Sequence, residues 1–97
     1  MSAIEAPAFS LRYFLTYRGV SLPLRLVEEL DAQALRHRNT YFRAAYDGDG
    51  RVCWLEKLVY GEVEMRHDYR YDDTHGGVLR EATITVGDEP PQVLHLA

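Results

Sequence analysis

A chain of 97 residues, 46% of them hydrophobic, is sized for one small domain and is too apolar for disorder. Its net charge of -4, from 15 acids against 11 bases, leaves no surplus of cations to release counterions from nucleic-acid phosphates or to hold an anionic membrane. Cys53 is the single cysteine, so no intramolecular disulfide can form, which fits a reducing compartment. The start, Met-Ser-Ala-Ile-Glu-Ala-Pro, has no basic segment followed by an apolar one, and no run approaches a membrane span. The expectation is a soluble, cytoplasmic protein with no nucleic-acid or membrane partner.

Residues 1–9 read as a loose leader and residues 11–27 as a hairpin. Leu11, Tyr13, Leu15 and Tyr17 alternate, Arg18-Gly19 turns, and Val20, Leu22, Leu24 and Leu26 alternate again. A two-residue turn pairs Tyr17 with Val20 and Leu11 with Leu26, so every in-facing partner is apolar. Pro23 then belongs on an edge or at a bulge. Residues 28–38 carry acids early and bases late, as a helix dipole prefers, with Leu30, Ala34 and His37 at helical spacing. A rival reading runs one helix over 23–38.

From 39 to 86 the chain reads as a four-stranded meander, with strands over 41–47, 51–59, 63–72 and 78–86. Residues 87–97 form a tail in which 92–97 suits a short strand. The clearest segment is Val63 to Asp72, where Val63, Met65, His67, Tyr69 and Tyr71 alternate with Glu64, Arg66, Asp68, Arg70 and Asp72. Successive side chains of a strand point to opposite faces, so this is a half-buried antiparallel strand. A three-residue turn at 48–50 puts Phe42, Ala44 and Tyr46 on the face of Val52, Trp54, Glu56 and Leu58. A two-residue turn at Gly61-Glu62 sets Leu58 opposite Met65, Glu56 opposite His67 and Trp54 opposite Tyr69. Joining 71 to 78 adds Val78, Ala82, Ile84 and Val86. The other face, with Arg43, Lys57, Glu64, Arg66, Asp68 and Arg70, is solvated apart from Leu55, Val59 and Tyr41 near one end.

The fold class that follows is mainly β, α+β at most. It is an antiparallel meander of about six strands with one short helix, in a curved sheet or partial barrel. The whole chain reads as a single domain.

Glu56 and His67 are the polar exceptions on the apolar face. In this phasing they are cross-strand neighbours, and a carboxylate beside an imidazole can anchor a polar ligand or act as acid and base. Trp54, Tyr69 and Tyr71 complete a candidate ligand-binding set. A satisfied buried pair is the alternative. Residues 45–56 approach a calcium loop, with Asp47, Asp49, Gly50, Val52 and Glu56 at the right offsets, but Ala45 holds the first ligand position and the flanks alternate like strands. A Gly-rich hairpin turn is the better reading. Asp72, Asp73 and His75 cluster in a turn without a further ligand, and His37 and His95 stand alone. No metal and no cofactor is expected.

Tyr46-Asp47-Gly48-Asp49-Gly50-Arg51-Val52 and Tyr71-Asp72-Asp73-Thr74-His75-Gly76-Gly77-Val78 each run Tyr-Asp, a Gly-containing turn and an apolar strand start. They resemble the Tyr-Asp hairpin repeats of bacterial Rhs-type shells. The segments Tyr-Arg-Gly-Val-Ser-Leu-Pro-Leu at 17–24, Arg-Asn-Thr-Tyr-Phe-Arg at 38–43 and Tyr-Gly-Glu-Val-Glu at 60–64 resemble a small bacterial family of unknown function, which implies no activity. The function expected is a non-catalytic interaction module, working through a strand edge or aromatic patch and able to form a homodimer. The alternatives are a small-ligand binder anchored by Glu56 and His67, or an enzyme using that pair.

Overall fold

The computed structural model describes residues 9–72 and 77–96. Seven strands form one open antiparallel sheet: β1 (Ser10–Arg18), β2 (Arg25–Leu30), β3 (Thr40–Tyr46), β4 (Val52–Val59), β5 (Glu62–Asp72), β6 (Val78–Val86) and β7 (Gln92–His95). The order across the sheet is β2-β1-β3-β4-β5-β6-β7, so the sheet does not close into a barrel. One helix, α1 (Ala32–Leu35), follows β2.

The meander has the expected strands, but its faces differ from the expected ones. The β4–β5 turn is Tyr60-Gly61, not Gly61-Glu62. Both residues take positive φ, 52° and 80°, as a two-residue hairpin loop with right-handed strand twist requires. Val59 therefore pairs with Glu62, and a bulge at Glu64 then shifts the register, so that Leu58 pairs with Val63 but Lys57 with Met65, Glu56 with Arg66 and Leu55 with His67. A second bulge, at Cys53 of β4, sets Tyr46 opposite Val52 but Ala45 opposite Trp54. One extra residue resets the alternation. Val52 stays with Phe42, Ala44 and Tyr46, while Trp54, Glu56 and Leu58 turn to the other face.

The residue brought inward is Leu55, which is fully buried and was expected on the opposite face. It joins Phe42, Ala44, Val52, Tyr69 and Ala82 in the core, with Met65, Tyr71 and Leu79 packed alongside. Burying a leucine of this kind contributes about 1.5–3 kcal/mol. Val63, Val78 and Val86, expected on the apolar face, lie towards the strand ends and are exposed.

The first hairpin is longer and phased differently from the expectation. Arg18 pairs with Arg25, Tyr17 with Leu26 and Tyr13 with Leu30. A six-residue loop, 19–24, replaces the two-residue turn, and Pro23 sits in that loop rather than in a strand. Strand β1 is apolar at the parity of Leu11, Tyr13, Leu15 and Tyr17, yet the core takes a residue of the other parity. Phe14, not Leu11, enters the core, and Leu11 is half exposed. Glu28 takes φ 62°, and on its N-terminal side Leu26 is the buried residue.

The expected helix over 28–38 is reduced to 32–35, because Glu29 and Leu30 pair with β1 instead. Asp31 marks the true start, with its Oδ1 accepting from the Ala34 N–H at 2.8 Å.

The inner face, holding Leu55 and Tyr69, is covered by the β1–β2 loop. Leu22 and Leu24 pack against the core, and the Leu24 N–H donates to the Tyr69 hydroxyl at 3.1 Å. On the outer face Ala45 and Leu58 are also buried, among strands that carry long polar side chains.

Candidate functional site

The inner face retains one open cavity of about 490 Å³ where the loop does not fill it. Phe14 and Arg12 reach it from β1, Leu24 from the loop, Leu26 from β2, and Val52 and Tyr71 from β4 and β5. Its rim is built of guanidinium groups lying on aromatic rings. The Arg12 guanidinium is 5.2 Å from the Phe14 ring and 4.8 Å from the Tyr46 ring. Arg51 is 5.0 Å from the Tyr71 ring. Stacking fixes each group flat while its N–H donors stay in plane.

Carboxylates hold these arginines in place. Glu29 receives two hydrogen bonds from Arg12, at 3.0 and 2.7 Å, which keep its carboxyl below the ordinary range. Asp47 accepts from the backbone N–H of Asp49 and Arg51 and from the Arg51 Nε at 2.9 Å. Burial alone would push the Asp47 carboxyl up, but the hydrogen bonds from Arg51 and Asp49 outweigh it and hold it down. The turn at 47–50 is thus a closed Asx-type turn, as Asp-Gly predicts, with the Asp47 oxygens already engaged. Among the described residues no cluster of His, Cys, Asp and Glu is arranged to hold a metal. Asp73 and His75 lie outside the described residues.

Tyr71 is the one member of the predicted ligand set that lines this cavity. Its hydroxyl donates to the Val52 carbonyl at 2.7 Å, and burial pushes it up to about 12. Gly77 also lines the cavity, its backbone against Arg51; a Cβ there would stand 2.8 Å from Nη1.

Tyr69 and His67 form a buried couple on the same face. The imidazole Nδ1 is 2.7 Å from the Tyr69 hydroxyl. That hydroxyl already accepts from Leu24, so it satisfies all three groups by donating its proton to Nδ1, with the ring proton on Nε2. Burial lowers the His67 pKa and pushes Tyr69 up to about 12, so both are neutral near neutrality.

Glu56 is not beside His67. The register places it on the outer face, where Arg43 donates to one oxygen and Arg66 to the other, each at 2.7 Å. Arg66 also pairs with Asp68 and lies 4.7 Å from the Trp54 ring. The predicted Glu56–His67 anchor is therefore two separate, internally satisfied arrangements on opposite faces of the sheet. The bulge at Glu64 decided this, since one extra residue in β5 exchanges the faces that β4 and β5 share, whereas moving a two-residue turn by one position keeps them.

Sequence reasoning missed Arg12, Arg51 and Tyr46. A signal for Arg51 was present, because a cation directly after an Asp-Gly-Asp-Gly turn can fold back on the first Asp. Arg12 had none, since β1 does not reveal its inner parity.

An open antiparallel β-sheet with a covered inner face defines the class of protein. The chain belongs to a family of unknown function, DUF6156, which it matches over residues 6–97. That bears out the resemblance to a family of unknown function, and no similarity to Rhs-type repeats is shown. No curated protein and no solved structure matches the chain.

Proposed function

We propose that the protein is a non-catalytic binding module whose inner cavity holds a small molecule with an apolar body and a hydrogen-bond-accepting end. The observation that carries this is the cavity of about 490 Å³, with Phe14, Leu24, Leu26 and Val52 below and stacked arginines at the rim. A guanidinium offers five N–H donors, and Arg12 directs only its Nε and Nη2 at Glu29, so donors remain for a ligand. Tyrosine and arginine side chains ordinarily titrate far above neutrality, which supports binding rather than proton transfer. This replaces a Glu56–His67 anchor with one built on Arg12, Arg51 and Tyr71. The test is a fragment titration followed by amide NMR. Ligands should move Leu24, Val52 and Tyr71 together, and a screen that moves none of them sinks the reading.

A protein-interaction module is favoured by a separate observation. Strands β2 and β7 are the outer strands of an open sheet and offer edges for strand addition, including by a second copy. Sedimentation distinguishes the two, because a homodimer through an edge forms without added ligand. Among the described residues no helix is long and apolar enough to cross a membrane. The lone Cys53, whose thiol burial pushes up, supports a reducing, cytoplasmic setting.

A further inference from the structure

Arg18 and Arg25 are directly opposite one another where β1 and β2 enter the loop. Directly opposite residues share a face with Cβ atoms about 5 Å apart, and like charges there repel. The chain has more acids than bases, so a carboxylate partner was available in composition. Elsewhere on the sheet the cations find one: Arg12 meets Glu29, Arg43 meets Glu56, Arg66 meets Glu56 and Asp68, and Lys57 meets Glu64. Among the described residues neither Arg18 nor Arg25 has an ion pair or a side-chain hydrogen bond.

Between them the loop leaves a second cavity, of about 250 Å³, lined by both arginines with Gly19, Val20, Ser21 and Pro23. Water takes about 30 Å³ per molecule, so the space admits a tetrahedral or planar oxyanion with its hydration. Ser21 brings a hydroxyl to the same cavity. Two forked, permanently charged side chains lining one small surface groove match an oxyanion's lone pairs and offset a repulsion that no ion pair among the described residues offsets.

We propose that Arg18 and Arg25 form a clasp for an oxyanion, the carboxylate or phosphoryl group of a ligand. The clasp stands independently of the inner cavity, although Arg25 borders both.

The test titrates inorganic phosphate and, separately, acetate into the full chain at constant ionic strength, with chloride as the reference. The readouts are the Arg Nε–H and loop amide resonances and the melting temperature. Phosphate alone responding identifies a phosphoryl site, and acetate responding identifies a carboxylate site. Either supports the clasp, provided Arg18, Gly19, Ser21 and Arg25 move together.

Arg18→Gln and Arg25→Gln should each raise the anion-free melting temperature by about 2 °C, by removing the repulsion, and should each abolish the anion response. Arg25→Lys keeps the charge but loses the fork, and should weaken the response by about tenfold. Arg70→Gln, on β5 and outside both this cavity and the inner one, should leave it unchanged. The proposal is overturned if neither anion moves these resonances beyond chloride, if the response survives either Gln substitution, or if both Gln variants melt lower than the parent without anion.

Discussion

The two faces of the sheet solve one problem by different chemistry. The inner face excludes water with a hydrophobic cluster centred on Leu55 and covers it with the 19–24 loop. On the outer face, among the described residues, Ala45 and Leu58 are buried beside a lattice of Arg43, Glu56, Arg66 and Trp54. Burial on the inner face depends on volume and shape. On the outer face it depends on charges being matched, since a buried carboxylate without partners costs far more than the pair contributes. A single sheet can therefore bury residues on both faces by different means.

Substitutions can separate these two modes. The largest effect is expected at Leu55→Ala, which empties a fully buried site and should cost about 3–4 kcal/mol in urea unfolding. Glu56→Ala should follow at about 2 kcal/mol, because it leaves the half-buried Arg43 guanidinium without its carboxylate and takes one of the two from Arg66. Its signature is a strong salt dependence that Leu55→Ala lacks. If Glu56→Ala costs no more than an exposed pair does, the outer lattice is decorative.

Tyr69→Phe should cost about 2 kcal/mol, since it leaves the Leu24 N–H and His67 Nδ1 without their partner. Faster amide exchange at Leu24 would report the loop loosening from the sheet. Arg70→Ala should change stability by less than about 0.5 kcal/mol, because its contact with Glu81 is long and largely exposed.

The inner face also carries a pH dependence. Burial holds the His67 pKa below its ordinary 6.5, so the unfolded chain takes up a proton there more readily than the folded one. Stability from this residue is intact above that value and declines as the pH falls through it. The urea midpoint should drop between about pH 7.5 and 5.5, and His67→Gln should flatten that slope.

The meander was legible because β3 to β6 are bounded by Gly-containing turns and alternate clearly. Its membership of faces was not, because two local features carry no strong sequence mark. One is the bulge at Cys53, opposite Ala45 and Tyr46; the other is the bulge at Glu64, opposite Lys57 and Leu58. Together they moved Leu55 inward and Glu56 outward, and with them the candidate site. In β2, Glu29 and Leu30 satisfy a helical charge pattern, yet their backbone groups are used by β1, so tertiary pairing overrode local preference. Arg12 was invisible because the apolar parity of β1, Leu11 to Tyr17, is the opposite of the one that carries Arg12 and the buried Phe14.

The strand order has a kinetic consequence. From β3 to β7 each strand neighbours the next in sequence, so those pairings close through short turns. Strand β1 instead pairs with β3 across the whole of β2 and α1, a larger loop to close. The meander can thus assemble while β1 is still undocked, and during that interval Thr40 to Tyr46 is an uncovered edge bearing Tyr41, Phe42 and Tyr46. The strand that completes the core is also the one that covers the β3 edge.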